Sequence, residues 1–283
     1  MIYSKIRSFA KINLALNVIG KSSSMHKIES IVSFLDLHDQ ILIKKIKNKN
    51  HKIIFVGPFK KDIRKNNTIS KLFEILEKEK ILQNSKFKII VKKNIPTKAG
   101  LGGGSMNAAS VLKFLIKKGF ISISRKEALK ITSLIGSDVI LGIYSKNLVL
   151  KSNKEIKEFS KKNSFYTLIV KPNFGCSTEK IYSNIDIKKF KIAQFHRPSK
   201  KMFNLNFLRK MENDLEKVAF NKYPKLHRLK IFLEKITKVE FVRMTGSGSA
   251  IIAYFLSKKD CRDAEKKAKK QFRNYWCKIS KTI

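Results

Sequence analysis

Residues 96–109, Pro-Thr-Lys-Ala-Gly-Leu-Gly-Gly-Gly-Ser-Met-Asn-Ala-Ala, set four glycines against the start of an expected helix. Gly100, Gly102, Gly103 and Gly104 remove side chains where a bulky anion could approach, and they permit positive φ. Ser105 stands where an N-cap belongs. Free backbone N–H groups at the positive end of a helix form a phosphate cradle, so the chemistry this loop suits is the handling of phosphate groups. It is not a Walker A loop, because no Gly-Lys-Ser/Thr follows the glycines, nor a dinucleotide fingerprint, because no ribose-binding acid lies at the required distance. A turn that merely closes a strand-to-helix connection is the alternative. Four glycines within five residues exceed what a turn needs, each giving up roughly 0.5–1 kcal/mol against Ala in regular structure.

Other candidate chemistry is sparse. From Phe9 to Gly20 the chain alternates as a strand does, with Ala10, Ile12, Leu14, Leu16 and Val18 on one face and Lys11, Asn13, Ala15 and Asn17 on the other. Lys11 and Asn13 therefore project together, and the pattern alone favours a solvated polar face of an antiparallel sheet. Asp138 directly follows a predicted helix and is one of few acids in a lysine-rich stretch. The three cysteines, Cys176, Cys261 and Cys277, form no Cys-x-x-Cys pair, and the five histidines show no metal-ligand spacing.

The elements that must position these residues follow from periodicity. Phe87, Ile89 and Val91 alternate with Lys88, Ile90 and Lys92 as a strand that Pro96 breaks off, and Ala108, Val111, Leu112 and Leu115 recur at helical spacing until Lys117-Lys118-Gly119. Strands are expected at Gln40–Ile46 and Lys52–Val56, and a helix from Thr68 to Lys80 with Ile69, Leu72, Phe73 and Leu76 on its apolar face. Ser124-Arg125-Lys126-Glu127 is a capping box for a helix that runs to Gly136. The charged, weakly patterned stretch Lys151–Lys162 marks a boundary, giving domains 1–158 and 159–283. Beyond it come a strand at Phe165–Val170, a helix opening near Ser177, helical stretches at Phe203–Phe220 and Lys225–Ile236, and strands at Glu240–Met244 and Ala250–Leu256. A lysine-rich helix from Ser257 and a last strand around Cys277 complete the order. That order is a split βαβ sandwich with helical insertions, and the class is α+β in two domains.

Composition narrows the function. The 283 residues carry 62 Lys and Arg against 21 Asp and Glu, a net charge of +41. The excess is mostly lysine spread over the whole chain, without a basic tail, an arginine cluster or an RNA-reading aromatic motif. A chain rich in Lys, Ile, Asn and Phe together is what AT-rich codons supply, so drift in base composition is favoured over a dedicated nucleic-acid function. Non-specific, salt-sensitive polyanion binding is still expected. No run approaches the ~18 apolar residues of a membrane helix. The first residues lack a signal peptide's apolar core, so a cytoplasmic protein is expected.

Four segments occur together in order: Ala10-Lys11-Ile12-Asn13-Leu14, the glycine loop, Gly136-Ser137-Asp138-Val139, and Arg243-Met244-Thr245-Gly246-Ser247-Gly248-Ser249. With His26, Leu35-Asp36-Leu37-His38-Asp39 and Asn213-Asp214-Leu215-Glu216, this set resembles the GHMP kinase superfamily over nearly the whole chain. Within it the resemblance is to the kinases of the non-mevalonate isoprenoid route that act on a cytidine diphosphate sugar alcohol. Homoserine- or mevalonate-type kinases are the alternative, and a basic nucleic-acid-binding protein is a more remote one.

The resemblance implies a two-domain fold, an N-terminal mixed α/β domain and a ferredoxin-like C-terminal one. It implies ATP with Mg²⁺ carried by the nucleotide, a small-molecule substrate, and no specific nucleic acid, membrane or protein-held metal. It assigns Asp138 as the base for the substrate hydroxyl and places Lys11 beside Asp138 and the transferring phosphoryl group, with Asn13 as a substrate contact. Pro96, Lys98, Ala99, Gly100, Leu101, Gly102, Gly103, Gly104 and Ser105 would hold the ATP phosphates. Thr245, Gly246 and Ser247 would close over the substrate, while His26 and Tyr182 would read the cytidine. The chain departs from the family pattern at Ser24-Met25-His26, where Gly-Tyr-His is usual, at Ser137 and Ile140 around Asp138, and at Lys151–Glu155. The catalytic pair and the phosphate loop are intact, which implies an active enzyme.

Overall fold

The computed structural model describes residues 2–21, 26–61, 63–144, 146–153, 155–160, 164–186 and 195–283. The alternation around Lys11 grows into a long strand, β1 (Ser4–Lys21), and the strand expected at Gln40–Ile46 is the last part of a second, β2 (His26–Ile46). The chain forms two units, each gathered from separated segments. The first comprises Met1–Ala10, Leu37–Thr97 and Gly102–Ser145, and the second Lys11–Asp36, Lys98–Leu101 and Lys146–Ile283.

In the first unit, the end of β2 pairs antiparallel with β4 (Lys86–Lys92), so that Ile41 opposes Val91 and Ile43 opposes Ile89; β3 (Lys52–Val56) runs parallel to β4. Three helices pack in this unit: α1 (Thr68–Lys78), α2 (Gly103–Lys117) and α3 (Arg125–Ile135). The expected stripe Ile69, Leu72, Phe73 and Leu76 is the buried face of α1. Its Asn67 cap accepts from the N–H groups of Ile69 and Ser70. The capping box of α3 forms as read, the Glu127 carboxylate accepting the Ser124 N–H at 2.7 Å. Ile41, Ile43, Phe87, Ile89, Leu112 and Leu115 meet in one core, each fully buried aliphatic or aromatic chain contributing about 1.5–3 kcal/mol.

The second unit holds an antiparallel sheet in the order β10 (Trp276–Lys281), β7 (Tyr166–Lys171), β9 (Ile251–Phe255), β8 (Phe241–Met244). That is the strand order of a split βαβ unit, with α8 (Lys258–Gln271) as the crossover from β9 to β10. In α8 only Cys261, Ala264 and Ala268 are buried, so small side chains at helical spacing let a lysine-rich helix lie close on the sheet. The insertion between β7 and β8 carries α4 (Thr178–Tyr182), α5 (Leu205–Lys210), α6 (Leu215–Lys222) and α7 (Pro224–Glu234).

Two expectations require correction. The stretch Phe203–Phe220 is not one helix: Met211–Asp214 leave the helical path because Glu212 O accepts from Leu16 N–H at 3.0 Å and Asp214 N–H donates to Leu16 O at 2.9 Å. The charged, weakly patterned stretch after Lys151 also holds a strand that its pattern did not announce. Ile156–Phe159 forms β6 against β5 (Asn147–Leu150), which itself pairs with Ser30–Val32 of β2. The fold is α+β, a mixed α/β unit plus a ferredoxin-like split βαβ unit with helical insertions.

Candidate active site

Lys11 and Asn13 share one face of β1, as their spacing requires, but that face is not solvated. Lys11 is 3% and Asn13 4% exposed. Ser30, Thr245 and the segment Lys98–Leu101, all of the second unit, cover it. The Lys11 ammonium donates to Asn13 Oδ1 at 2.8 Å, and Asn13 Nδ2 donates to Ser30 Oγ at 2.8 Å. Ser30 in turn donates to Ala15 O at 2.7 Å, which leaves its oxygen to accept the amide and turns the Asn13 carbonyl toward the cation. Ser30 is thus a polar partner that sequence reasoning missed, since a lone serine in an apolar strand carries no distinguishing pattern.

The Thr245 hydroxyl accepts from Asn13 N–H at 3.1 Å and donates to Gly100 O at 3.1 Å. Lys11 N–H donates to Leu101 O, Ser249 N–H to Lys98 O and Ala250 N–H to Ala99 O, at 3.1 to 3.2 Å. The first half of the glycine loop is therefore packed backbone against backbone on the second one. Gly100, at φ +75°, would place a Cβ 1.9 Å from Thr245 O, so its missing side chain serves this close approach and not an anion.

The second half of the loop belongs to the first unit. Gly102, at φ +66°, is the N-cap of α2, and no side chain caps this helix; Ser105 lies inside the first turn, not at the cap. The first helical bond runs from Met106 N–H to Gly102 O, so the N–H groups of Gly103, Gly104 and Ser105 have no acceptor within the helix. These three donors open the positive end of α2, at an exposed Gly104 and a half-buried Ser105. A Cβ on Gly103 would meet Ile95 Cγ2 at 2.9 Å and Lys93 Nζ at 3.1 Å, so protein packing sets this glycine too.

That Lys93 is part of a second group the sequence did not single out. Asp39, fully buried, pairs with Lys93, accepts from Asn107 Nδ2 at 3.0 Å, and accepts the N–H groups of Asn94 at 2.7 Å and Ile95 at 2.9 Å. It ties the buried Pro96 approach to α2, from which Asn107 projects. Asp138, half-buried, sits in the turn after α3, its carbonyl accepting from Leu141 N–H at 3.2 Å. It belongs to the first unit and Lys11 to the second.

In the second unit the rings of His26 and Tyr182 come together, centroids 5.2 Å apart and tilted by 39°. Burial, and then the charge of Lys21, pushes the His26 imidazole below its ordinary pKa, so it stands neutral with one donor and one acceptor nitrogen. Thr178, one turn before Tyr182 on α4, bonds Ser247 Oγ at 2.8 Å. Ser24 and Met25 lie outside the described residues. Burial pushes the thiols of Cys176 and Cys277 up to about 11 and that of Cys261 to about 12, so none is a nucleophile near neutral pH.

A family model for the GHMP kinases N terminal domain matches residues 67–146. Over 279 residues, 99% of both chains, the sequence is 55% identical to the 4-diphosphocytidyl-2-C-methyl-D-erythritol kinase of Pelagibacter ubique. The chain belongs to the 4-diphosphocytidyl-2-C-methyl-D-erythritol kinase family. The kinase of this family from Thermodesulfovibrio yellowstonii is 31% identical over 98% of this chain and 97% of its own. A crystal structure of 4-(cytidine 5'-diphospho)-2C-methyl-D-erythritol kinase has the same fold, with a TM-score of 0.78 at 21% identity, covering 99% of this chain and 100% of that one. Mevalonate kinase from L. major shares the fold at a TM-score of 0.73 and 12% identity, over 99% of this chain and 95% of its own. As a member of a kinase family the chain uses ATP. No helix among the described residues is long and apolar enough to cross a membrane.

Proposed function

We propose that this chain transfers the γ-phosphoryl group of ATP to the C2 hydroxyl of 4-diphosphocytidyl-2-C-methyl-D-erythritol, in the cytoplasm, as a step of non-mevalonate isoprenoid precursor synthesis. The observation that carries this reading is the 55% identity, over 99% of both chains, to a kinase of that name. Phosphoryl transfer passes through a loose, highly charged transition state, so the protein's work is positioning and charge stabilisation. Asp138 accepts the proton of the C2 hydroxyl as its oxygen bonds to phosphorus and ADP leaves. Lys11, anchored through Asn13, stabilises negative charge on the transferring group, and Asn13 contacts the substrate. The N–H groups of Gly103, Gly104 and Ser105 take the nucleotide's phosphates, and Pro96, Lys98, Ala99, Gly100, Leu101 and Gly102 shape the approach to them. His26 bonds the cytosine edge, Tyr182 offers a stacking face, and Thr245, Gly246 and Ser247 close on the substrate.

Mg²⁺ would be carried by the nucleotide held at Gly103, Gly104 and Ser105, and would supply neutralisation of phosphate charge. Among the described residues no group of three or more His, Cys, Asp or Glu side chains is placed to hold a metal ion. The test is a coupled assay reading ADP release, with the cytidyl substrate, homoserine and mevalonate offered in parallel. Turnover is expected with the first alone. Turnover of homoserine or mevalonate without the cytidyl substrate overturns the reading. Asp138→Asn, nearly isosteric, is expected to fold normally and lose ~10²–10⁴ in kcat; wild-type turnover where chemistry limits would remove Asp138 from the role of base.

A further inference from the structure

The segment Asn213-Asp214-Leu215-Glu216 lies where α6 begins, in the second unit, and no step of the proposed reaction uses it. Asn213 is 2% exposed, and each of its side-chain polar atoms is committed. Its Nδ2 donates to Met244 O and to Gly246 O, both at 2.8 Å, and its Oδ1 accepts from Leu215 N–H at 3.0 Å. The two carbonyls it holds flank Thr245, whose hydroxyl is bonded to Asn13 N–H and Gly100 O.

The backbone beside Asn213 is held as firmly. Glu212 O and Asp214 N–H bracket Leu16, and the Asp214 carboxylate accepts Val18 N–H at 2.8 Å. Leu16 and Asn13 are on the same strand. The contacts therefore close a ring: β1 holds residues 212–214, Asn213 holds the carbonyls on either side of Thr245, and Thr245 returns to β1 at Asn13. Two charged groups brace the ring. Glu216 accepts Met244 N–H at 2.7 Å while paired with Lys230 at 2.5 Å, and the 4%-exposed Arg243 donates to the carbonyls of Leu14, Leu208 and Met211. Each link of the ring is fixed on both sides, so a displacement at Asn213 is passed to Thr245 and on to β1.

We propose that Asn213 is a positioning residue for phosphoryl transfer: by holding Met244 O and Gly246 O it sets the Thr245 hydroxyl, and through it Asn13 with its bound Lys11 ammonium and the Gly100 carbonyl of the phosphate loop. It touches no reacting atom. The proposal rests on the kinase reading above, and it makes a separate structural claim about the Asn13 amide. A shift of about 1 Å in a catalytic constellation costs on the order of 10²-fold in rate, which sets the scale of the expected loss.

The experiment is a double-mutant cycle between Asn213→Ala and Thr245→Val, with kcat and KM measured for ATP and for the cytidyl substrate and Asn13 amide exchange followed by NMR. Each single variant is expected to lower kcat on the order of 10²-fold, with KM for ATP within about threefold of wild type. The double variant is expected to be no slower than the slower single one, since both break one path. Thr245→Ser, which keeps the hydroxyl, is expected to retain most of kcat, and Asn213→Ala to speed Asn13 amide exchange. Multiplicative losses in the double variant, or an unchanged Asn13 amide in Asn213→Ala, overturn the proposal. Asn213→Ser, a smaller side chain that keeps one donor, is the second variant where Asn213→Ala does not fold; if neither folds, Asn213 is a folding determinant and the proposal falls. A wild-type protein inactive on the cytidyl substrate refutes the kinase reading, while the amide exchange still tests the ring.

Discussion

Two glycines of one loop are expected to respond oppositely to the same substitution. Gly100→Ala puts a Cβ at φ +75° and 1.9 Å from Thr245 O. The left-handed conformation costs an L-residue roughly 1–2 kcal/mol. Backbone on both sides forms the contact, so no flexible side chain can yield, and the displacement adds an overpacking cost of about 1–3 kcal/mol. The expected loss is about 2–5 kcal/mol, which for a unit of this size lowers Tm by about 4–20 °C. Gly104→Ala meets only the Thr68 side chain, Oγ1 at 3.5 Å and Cγ2 at 4.0 Å, in the first turn of α2. It gains up to about 1 kcal/mol of helix propensity. Its methyl tilts toward the helix N-terminus, into the volume that the proposed function gives to phosphate, so KM for ATP is expected to rise while stability does not fall. Scanning calorimetry and ATP titration of the two variants separate these outcomes. A Gly100→Ala protein that melts within about 1 °C of wild type and loses only ATP affinity would refute the packing argument, and with it the division of the loop into a structural and a binding half.

Asp39→Asn leaves the buried Lys93 cation without its anion, and a loss of about 3–5 kcal/mol is expected in urea unfolding; a loss below about 1 kcal/mol would show that the pair is not needed. Tyr254→Phe removes a fully buried hydroxyl that finds no partner among the described residues and keeps the ring stacked on Phe241 at 4.1 Å, so it is expected to be neutral or to stabilise by about 1 kcal/mol. A clear destabilisation would reveal a bonded hydroxyl. His51 is held below the ordinary imidazole value of 6.5, first by burial, and its Nδ1 accepts Phe87 N–H at 3.1 Å. The folded state then binds fewer protons than the unfolded chain, so this contribution is complete above pH 6.5 and is lost as pH falls below that value. Tm measured from pH 7 down to pH 5 is expected to fall less steeply in His51→Gln than in wild type, and equal slopes would clear His51.

Much of the architecture was legible because its signals are local. The capping box at Ser124–Glu127, the stripe on α1 and the strand order from Phe165 onward each report through residues a few positions apart. Failures came where a distant partner decides. Alternation sorts the residues of β1 into two faces without telling which face is covered, and the Thr245 hydroxyl that meets Asn13 comes from 232 residues away. The break at Met211–Asp214 is similar: its sequence suits a helix, and pairing with Leu16 competes successfully for its backbone.

The Asp39–Lys93 pair shows how such a partner could be found. Leu37, Ile41 and Ile43 occupy one phase of β2, and Asp39 sits in that apolar phase. Phe87, Ile89 and Val91 occupy the apolar phase of β4, and Lys93 continues it. A charge in the apolar phase of a half-buried strand must have a partner, because burying it alone costs far more than the strand gains. Two such charges of opposite sign also propose a register. The observed pairing sets Gln40 opposite Lys92, and one further step places Asp39 opposite Lys93, where they meet. Each residue alone reads as an ordinary surface charge; together they align two strands and fix the entry to the glycine loop. The Gly-rich motif is where the eye goes first, yet Asp39 of this pair binds the backbone just before it, at Asn94 and Ile95, and Asn107 of the helix just after it.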